Sequence, residues 1–97
     1  MKVKEVIKFE GWTDGSGRSW QDTYAENVID IEESELPKTA DEYDWDWYET
    51  PEDNPEDHGR DTKIIVEFYA EDAEPGWDEP LAKISKWESE LWKERNA

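Results

Sequence analysis

Residues 41–57, DEYDWDWYETPEDNPED, constrain this chain more than any other stretch. They hold nine carboxylates, four large aromatics and no basic residue. Solubility explains the acid but not Tyr43, Trp45, Trp47 and Tyr48, whose rings each bury about 150–250 Å² when packed. A segment of this kind needs a wet side and a buried side, so the rest of the chain has to supply something for the rings to pack on.

Composition makes the same demand. The 97 residues are 40% charged and 34% hydrophobic, with a net charge of -17. Such a balance leans toward disorder, but seven Trp, four Tyr and two Phe oppose it. The expectation is one acidic domain spanning 1–97, with an unusually aromatic core and a mobile acidic loop. Charge is unevenly spread. Residues 1–20 sum to +1 and residues 58–97 to -4, whereas residues 21–57 hold fifteen acids against Lys38 alone, for -14. Such a field repels nucleic acid and anionic lipid and favours a cationic partner. With no cysteine, disulfides and thiolate chemistry are excluded. No segment approaches membrane-spanning length and Met1–Glu5 carries no apolar signal region, which predicts a soluble, cytoplasmic protein without membrane contact.

Periodicity predicts the elements. In KVKEVIKFE, residues 2–10, Val3, Ile7 and Phe9 share one face and Lys2, Lys4 and Lys8 the other, as in a half-buried strand. Asp14-Gly15 and Ser16-Gly17 are turn dipeptides. They predict a hairpin into a second strand over about 20–31, with Trp12 and Trp20 near enough to pair across it. Residues 40–49 admit two readings. Period two puts Tyr43, Trp45 and Trp47 on one strand face and Glu42, Asp44 and Asp46 on the other. Helical period makes a stripe of Ala40, Tyr43 and Trp47, and Thr39–Glu42 fits a capping box. Asp is poor in helix interiors while Trp and Tyr suit pleated surfaces, which favours the strand. Residues 50–61 read as loop. TKIIVEFYAED, 62–72, is the strongest strand. Residues 79–95 read as an amphipathic helix with Asp78 as N-cap. Trp77, Leu81, Ile84, Trp87, Leu91 and Trp92 fall in one arc, Glu88 lies inside that arc, and Lys83, Lys86, Glu90 and Lys93 lie opposite. The sum is an α+β fold: an antiparallel four-stranded sheet, built from two hairpins, packed on one C-terminal amphipathic helix.

Four readings can be weighed on these residues. On a strand, Asp44 and Asp46 stand about 6.6–7 Å apart, and a row of carboxylates at that pitch matches a phosphate backbone in sign and spacing. The candidate partner-binding residues are Asp41, Glu42, Asp44, Asp46, Glu49, Glu52, Asp53, Glu56 and Asp57, with Glu32, Glu33 and Glu35 before them. A solvated acidic surface competes with that reading. A calcium loop starting at Asp14 fails at Arg18, at Ser19 where glycine is needed and at Ala25 where the bidentate Glu belongs. The pattern therefore implies no dedicated metal site and no cofactor. Catalysis is poorly supported: His58 is the one histidine, it lies among Pro, Gly and acid without a nucleophile motif, and among twenty-eight acids a pair of carboxylates at a workable separation carries no specificity. Trp45 and Trp47, if exposed, would instead suit a carbohydrate- or ligand-binding module.

In size, acidity and lack of cysteine, the chain resembles the small inhibitor proteins of phages and mobile elements, the DNA mimics and anti-CRISPR proteins. The run Asp41–Asp57 and the acids Asp30, Glu32, Glu33 and Glu35 carry the resemblance, which is one of composition and has no shared motif. It implies a non-enzymatic decoy that occupies the basic nucleic-acid site of a protein such as a CRISPR effector nuclease, in the host cytoplasm if phage-encoded. It implies no direct contact with nucleic acid. Nuclease-immunity proteins have the same profile for the same physical reason. Oligomeric state is not readable from the sequence.

Overall fold

The computed structural model describes residues 1–12 and 19–97, leaving aside the side chains of Trp12 and His58. Four strands, β1 (Lys2–Trp12), β2 (Ser19–Asp30), β3 (Lys63–Ala70) and β4 (Ala82–Trp87), form one antiparallel sheet in the order β2-β1-β3-β4. One helix, α1 (Glu88–Arg95), closes the chain. The α+β architecture expected from the sequence is the one observed. The turn dipeptides at Asp14–Gly17 lie outside the described residues. The Trp12–Trp20 pair does not form a direct register pair: Trp20 stands opposite Gly11 and Trp12 opposite Ser19. A Cβ on Gly11 would come within 2.7 Å of the Trp20 ring, so glycine there lets the indole lie against the backbone.

β3 is the centre. Every residue from Ile64 to Tyr69 is buried, on both faces of the sheet. Its register with β1 sets Val3, Ile7 and Phe9 beside Ala70, Val66 and Ile64 on one face. That face carries the core, which Phe68 and Ile84 complete within the sheet and Leu36, Trp45 and Leu91 complete from above. Lys2, Lys4 and Lys8 alternate to the opposite face, as their spacing predicts. There Lys8 lies 2.8 Å and Lys83 3.9 Å from the buried Glu67 carboxylate.

Two element assignments are corrected. Residues 42–49 are not a strand. The chain from 31 to 62 is irregular, with three short 3-10 turns at Glu33–Glu35, Ala40–Glu42 and Pro55–His58. The physical reason sits at Asp44, whose carboxylate accepts the Asp46 N–H at 3.0 Å. This is the local side-chain bond by which Asp competes with a sheet ladder. The Tyr48 N–H then turns back to the Trp45 carbonyl at 2.9 Å. With no strand at 42–49, the outer edge of β3 is taken by residues 82–87, which sequence periodicity placed in a helix. Ala82, Ile84 and Lys86 alternate with Lys83, Ser85 and Trp87 as well as they fit a helical arc, so periodicity alone could not separate the two. The helix that remains is short and buries only Ser89 and Leu91. Its first turn is capped from elsewhere in the chain: the Asp61 carboxylate accepts the Ser89 N–H at 3.0 Å and the Ser89 hydroxyl at 2.5 Å.

Candidate functional site: an acidic cover on an aromatic underside

The irregular segment 31–62 lies over the core face of the sheet. Its aromatics point down. Trp45 is 6% exposed, and Tyr43, Trp47 and Tyr48 are half-buried. Each ring finds an aromatic or polar partner. Tyr43 packs edge-on against Phe68 at 6.2 Å and Trp45 at 4.7 Å. Trp47 stacks on Tyr24 at 5.9 Å, and Tyr24 stacks on Phe9 at 4.7 Å. Tyr24 reaches this position because β2 bulges there: Ile7 pairs with Ala25 and Lys8 with Thr23, leaving Tyr24 as the extra residue.

Polar tips are satisfied as well. The Trp45 indole N–H donates to the Ala40 carbonyl at 2.9 Å, and the Trp47 indole N–H to the Tyr43 hydroxyl at 3.0 Å. The Tyr43 hydroxyl donates to Glu5 at 3.1 Å, and the Tyr48 hydroxyl to Glu88. Burial, followed by the Glu5 carboxylate for Tyr43 and the Glu88 carboxylate for Tyr48, pushes both phenols above the usual tyrosine range. They stay protonated donors. Burial and the neighbouring Asp61 charge also raise the Glu88 carboxyl, against the lowering effect of the Tyr48 bond.

The acids point out. Glu32, Glu33, Glu35, Asp41, Glu42, Asp44, Asp46, Glu49, Glu52, Asp53, Glu56 and Asp57 are all exposed. The structure thus brings the sequence-predicted residues onto one covering segment, but not at strand pitch, because 42–49 is not extended. Magnitudes show why the segment stays down despite its charge. A buried indole removes roughly 200 Å² from water, on the order of 5 kcal/mol at about 25 cal/mol per Å² before entropy. Two exposed like charges about 7 Å apart in water repel by only about 0.6 kcal/mol.

Two cations that the sequence reading placed elsewhere, or passed over, hold the segment from below. Lys86, expected on a solvent-facing helix arc, is 6% exposed, and lies 2.5 Å from Glu94 and 3.7 Å from Asp41. Arg95 donates to the Tyr48 carbonyl at 2.5 Å and the Trp45 carbonyl at 2.8 Å. Both line a cleft of about 360 Å³ with Asp41, Asp44, Asp46 and Glu94. A usable signal was present: residues 21–57 contain a single cation, so any charge holding them had to come from outside that segment. Trp92 and Lys93 add bonds to Glu52 and Glu56, at 3.2 and 2.6 Å.

The alternatives fare differently. Trp45 is buried and Trp47 is half-buried against Tyr24, so they do not form the open pair of rings that a sugar platform requires. Among the described residues, no group of three His, Asp or Glu side chains stands where it could hold a metal ion, and no helix is long and apolar enough to cross a membrane. His58 ends the third 3-10 turn, which Asn54 caps by accepting the Glu56 N–H at 3.1 Å and Gly59 closes at φ +64°. Compared with known proteins, the chain matches no family model, no curated protein and no solved structure.

Proposed function

We propose that this chain is a non-enzymatic binding protein that presents its acidic cover to the nucleic-acid site of a basic protein, acting as a decoy. A CRISPR effector nuclease in the host cytoplasm is the first candidate target. One observation supports the reading above others: in a single segment the carboxylates are exposed while the aromatics between them are anchored on the sheet. An acidic surface held this way loses less ordering entropy on binding than a free acidic tail. The irregular backbone means that the match to a phosphate chain lies in charge density, not in a regular pitch.

The test is competition with DNA for the effector nuclease, at low and high salt. The comparison is between the native chain and variants neutralised stepwise at Asp44, Asp46, Glu49, Glu52 and Asp53 by Asn or Gln. Asn at position 44 keeps an acceptor for the Asp46 N–H. Binding should fall steeply with ionic strength and in graded steps as charges are removed, because an electrostatic footprint is distributed. Melting should hold or rise slightly. Full competition by the quintuple variant would end the proposal, as would binding that ignores both salt and DNA.

A further inference from the structure

The connection between β3 and β4, residues 71–81, has no part in the acidic cover. It holds Trp77, which is 86% exposed, and Leu81, which is 47% exposed. Trp77 is the most exposed of the six tryptophans whose side chains are described, and among the described residues its ring makes no hydrogen bond or ring contact. A lone surface aromatic needs no explanation, but this one is built into a closed turn. The Asp78 carboxylate accepts the Glu74 N–H at 2.7 Å, and the Trp77 and Asp78 N–H groups return to the Glu74 carbonyl at 3.1 and 3.0 Å. Gly76 takes φ +94°, a conformation that favours glycine. Lys4 Nζ reaches the Ala73 carbonyl at 2.9 Å and ties the turn to the sheet. The indole is therefore displayed on an ordered backbone, without the contacts that stabilise the other rings.

Its surroundings select the occupant. Glu71, Asp72, Glu74, Asp78 and Glu79 are all exposed, and no basic residue lies between 71 and 82. An indole face is attracted to cations through its quadrupole. Carboxylates around it reject anionic and disfavour neutral partners while completing the bonding of a planar guanidinium. Arginine fits better than lysine, because its weakly hydrated, flat head stacks on the ring and binds carboxylate with two parallel bonds. Leu81 also lines one cleft of mixed charge, with Glu32, Glu33, Lys38 and Lys83, which joins this turn to the N-terminal end of the acidic cover. We infer that the 71–81 turn is an arginine-docking element, in which the Trp77 indole takes a guanidinium of the basic partner on its open face. The inference rests on the reading of the chain as a ligand of a basic protein.

The probes are oligo-arginine and oligo-lysine peptides of equal length, titrated calorimetrically into the native chain, Trp77→Ala, Trp77→Phe and the quintuple charge variant. Trp77→Ala should weaken oligo-arginine by about fivefold, a typical loss for an exposed cation–π contact, and oligo-lysine by less. Trp77→Phe should keep part of the affinity. The indole N–H resonance that Trp77→Phe removes should shift more than the other indole resonances on adding oligo-arginine. Melting should be unchanged, since the ring touches nothing whose loss would matter. Affinity of Trp77→Ala for oligo-arginine within twofold of native overturns the inference, and an equal loss for oligo-lysine overturns the guanidinium assignment. If the quintuple variant loses affinity while Trp77→Ala does not, the acidic cover stands and the inference fails. The reverse pattern keeps the inference and removes the cover.

Discussion

β3 and the segment 40–49 are both rich in large apolar side chains, yet they are held in opposite ways. β3 is fastened by backbone. It pairs along its length with β1 and β4, and its six central residues are buried whatever face they occupy. The 40–49 segment has no ladder. It is fastened by side chains: two phenols on Glu5 and Glu88, and the Arg95 guanidinium on the carbonyls of Trp45 and Tyr48. A ladder tolerates the loss of one side chain's polar contacts, because neighbouring backbone bonds remain. A side-chain anchor has no such reserve. The acidic surface is therefore mounted on the more breakable of the two regions.

The largest expected effect falls on the ladder-held region, through its packing. Phe68 is 1% exposed and meets Tyr43 edge-on. Phe68→Ala should cost about 3–5 kcal/mol, a large part of what a domain of this size has. Urea unfolding by tryptophan fluorescence would register it as a lower midpoint for the whole chain. A midpoint within error of native would mean that β3 is not the structural centre.

An intermediate effect should separate the regions. Arg95→Ala removes two charge-assisted bonds and leaves two carbonyls to find water, a change of about 1–3 kcal/mol. Because both of those bonds go to the backbone of the acidic segment, the loss should be local. Amide exchange at residues 45–48 should quicken, while exchange in β3 stays slow. If the amides of β3 quicken in step, the two regions unfold together and the distinction between them fails.

The same contrast explains what could be read from the sequence. β1 and β3 were legible because period-two patterning and a ladder agree there, β2 because turn dipeptides follow β1, and the lysines of β1 do lie on the face away from the core. The exposure of the acids was legible from charge alone. Residues 42–49 were misread because Asp44 and Asp46 alternate like a strand face, whereas an Asp carboxylate is also the group best able to turn its own backbone. Ala82–Trp87 has a separate ambiguity: its residues alternate as a strand but also fall into one helical arc with Leu91 and Trp92, so the pattern favours a helix that the β3 edge overrides. The scarcity of cations in 21–57 calls for an anchor from outside, but not for Lys86 and Arg95 in particular, because their partners, Glu94 with Asp41 and the carbonyls of Trp45 and Tyr48, are set by tertiary structure and by no local pattern.

The smallest effect tests what kind of anchor the second region uses. The Tyr48 hydroxyl donates to Glu88, and that bond alone favours the ionised carboxylate. Burial and the Asp61 charge oppose it and prevail, so the carboxyl titrates above its ordinary value of 4.5. A carboxyl whose folded value is raised takes up its proton more readily in the folded chain than in the unfolded one. Its contribution to stability is therefore most favourable below the ordinary value. It declines as pH rises through the raised one, and is flat beyond it. Glu88→Gln keeps an acceptor for the Tyr48 hydroxyl and removes the titration. The variant should match the native chain in stability near pH 4, gain on it through the weakly acidic range, and hold a small, constant advantage at neutral pH. Paired thermal melts across that range, taken at fixed ionic strength, measure the difference directly and cancel the contributions of the other carboxyls. A variant that matches native near pH 4 but falls below it as pH rises would mean that the charge on Glu88 strengthens the anchor by more than its burial costs. The 40–49 segment would then be clamped electrostatically at both Arg95 and Glu88, and not only at Arg95.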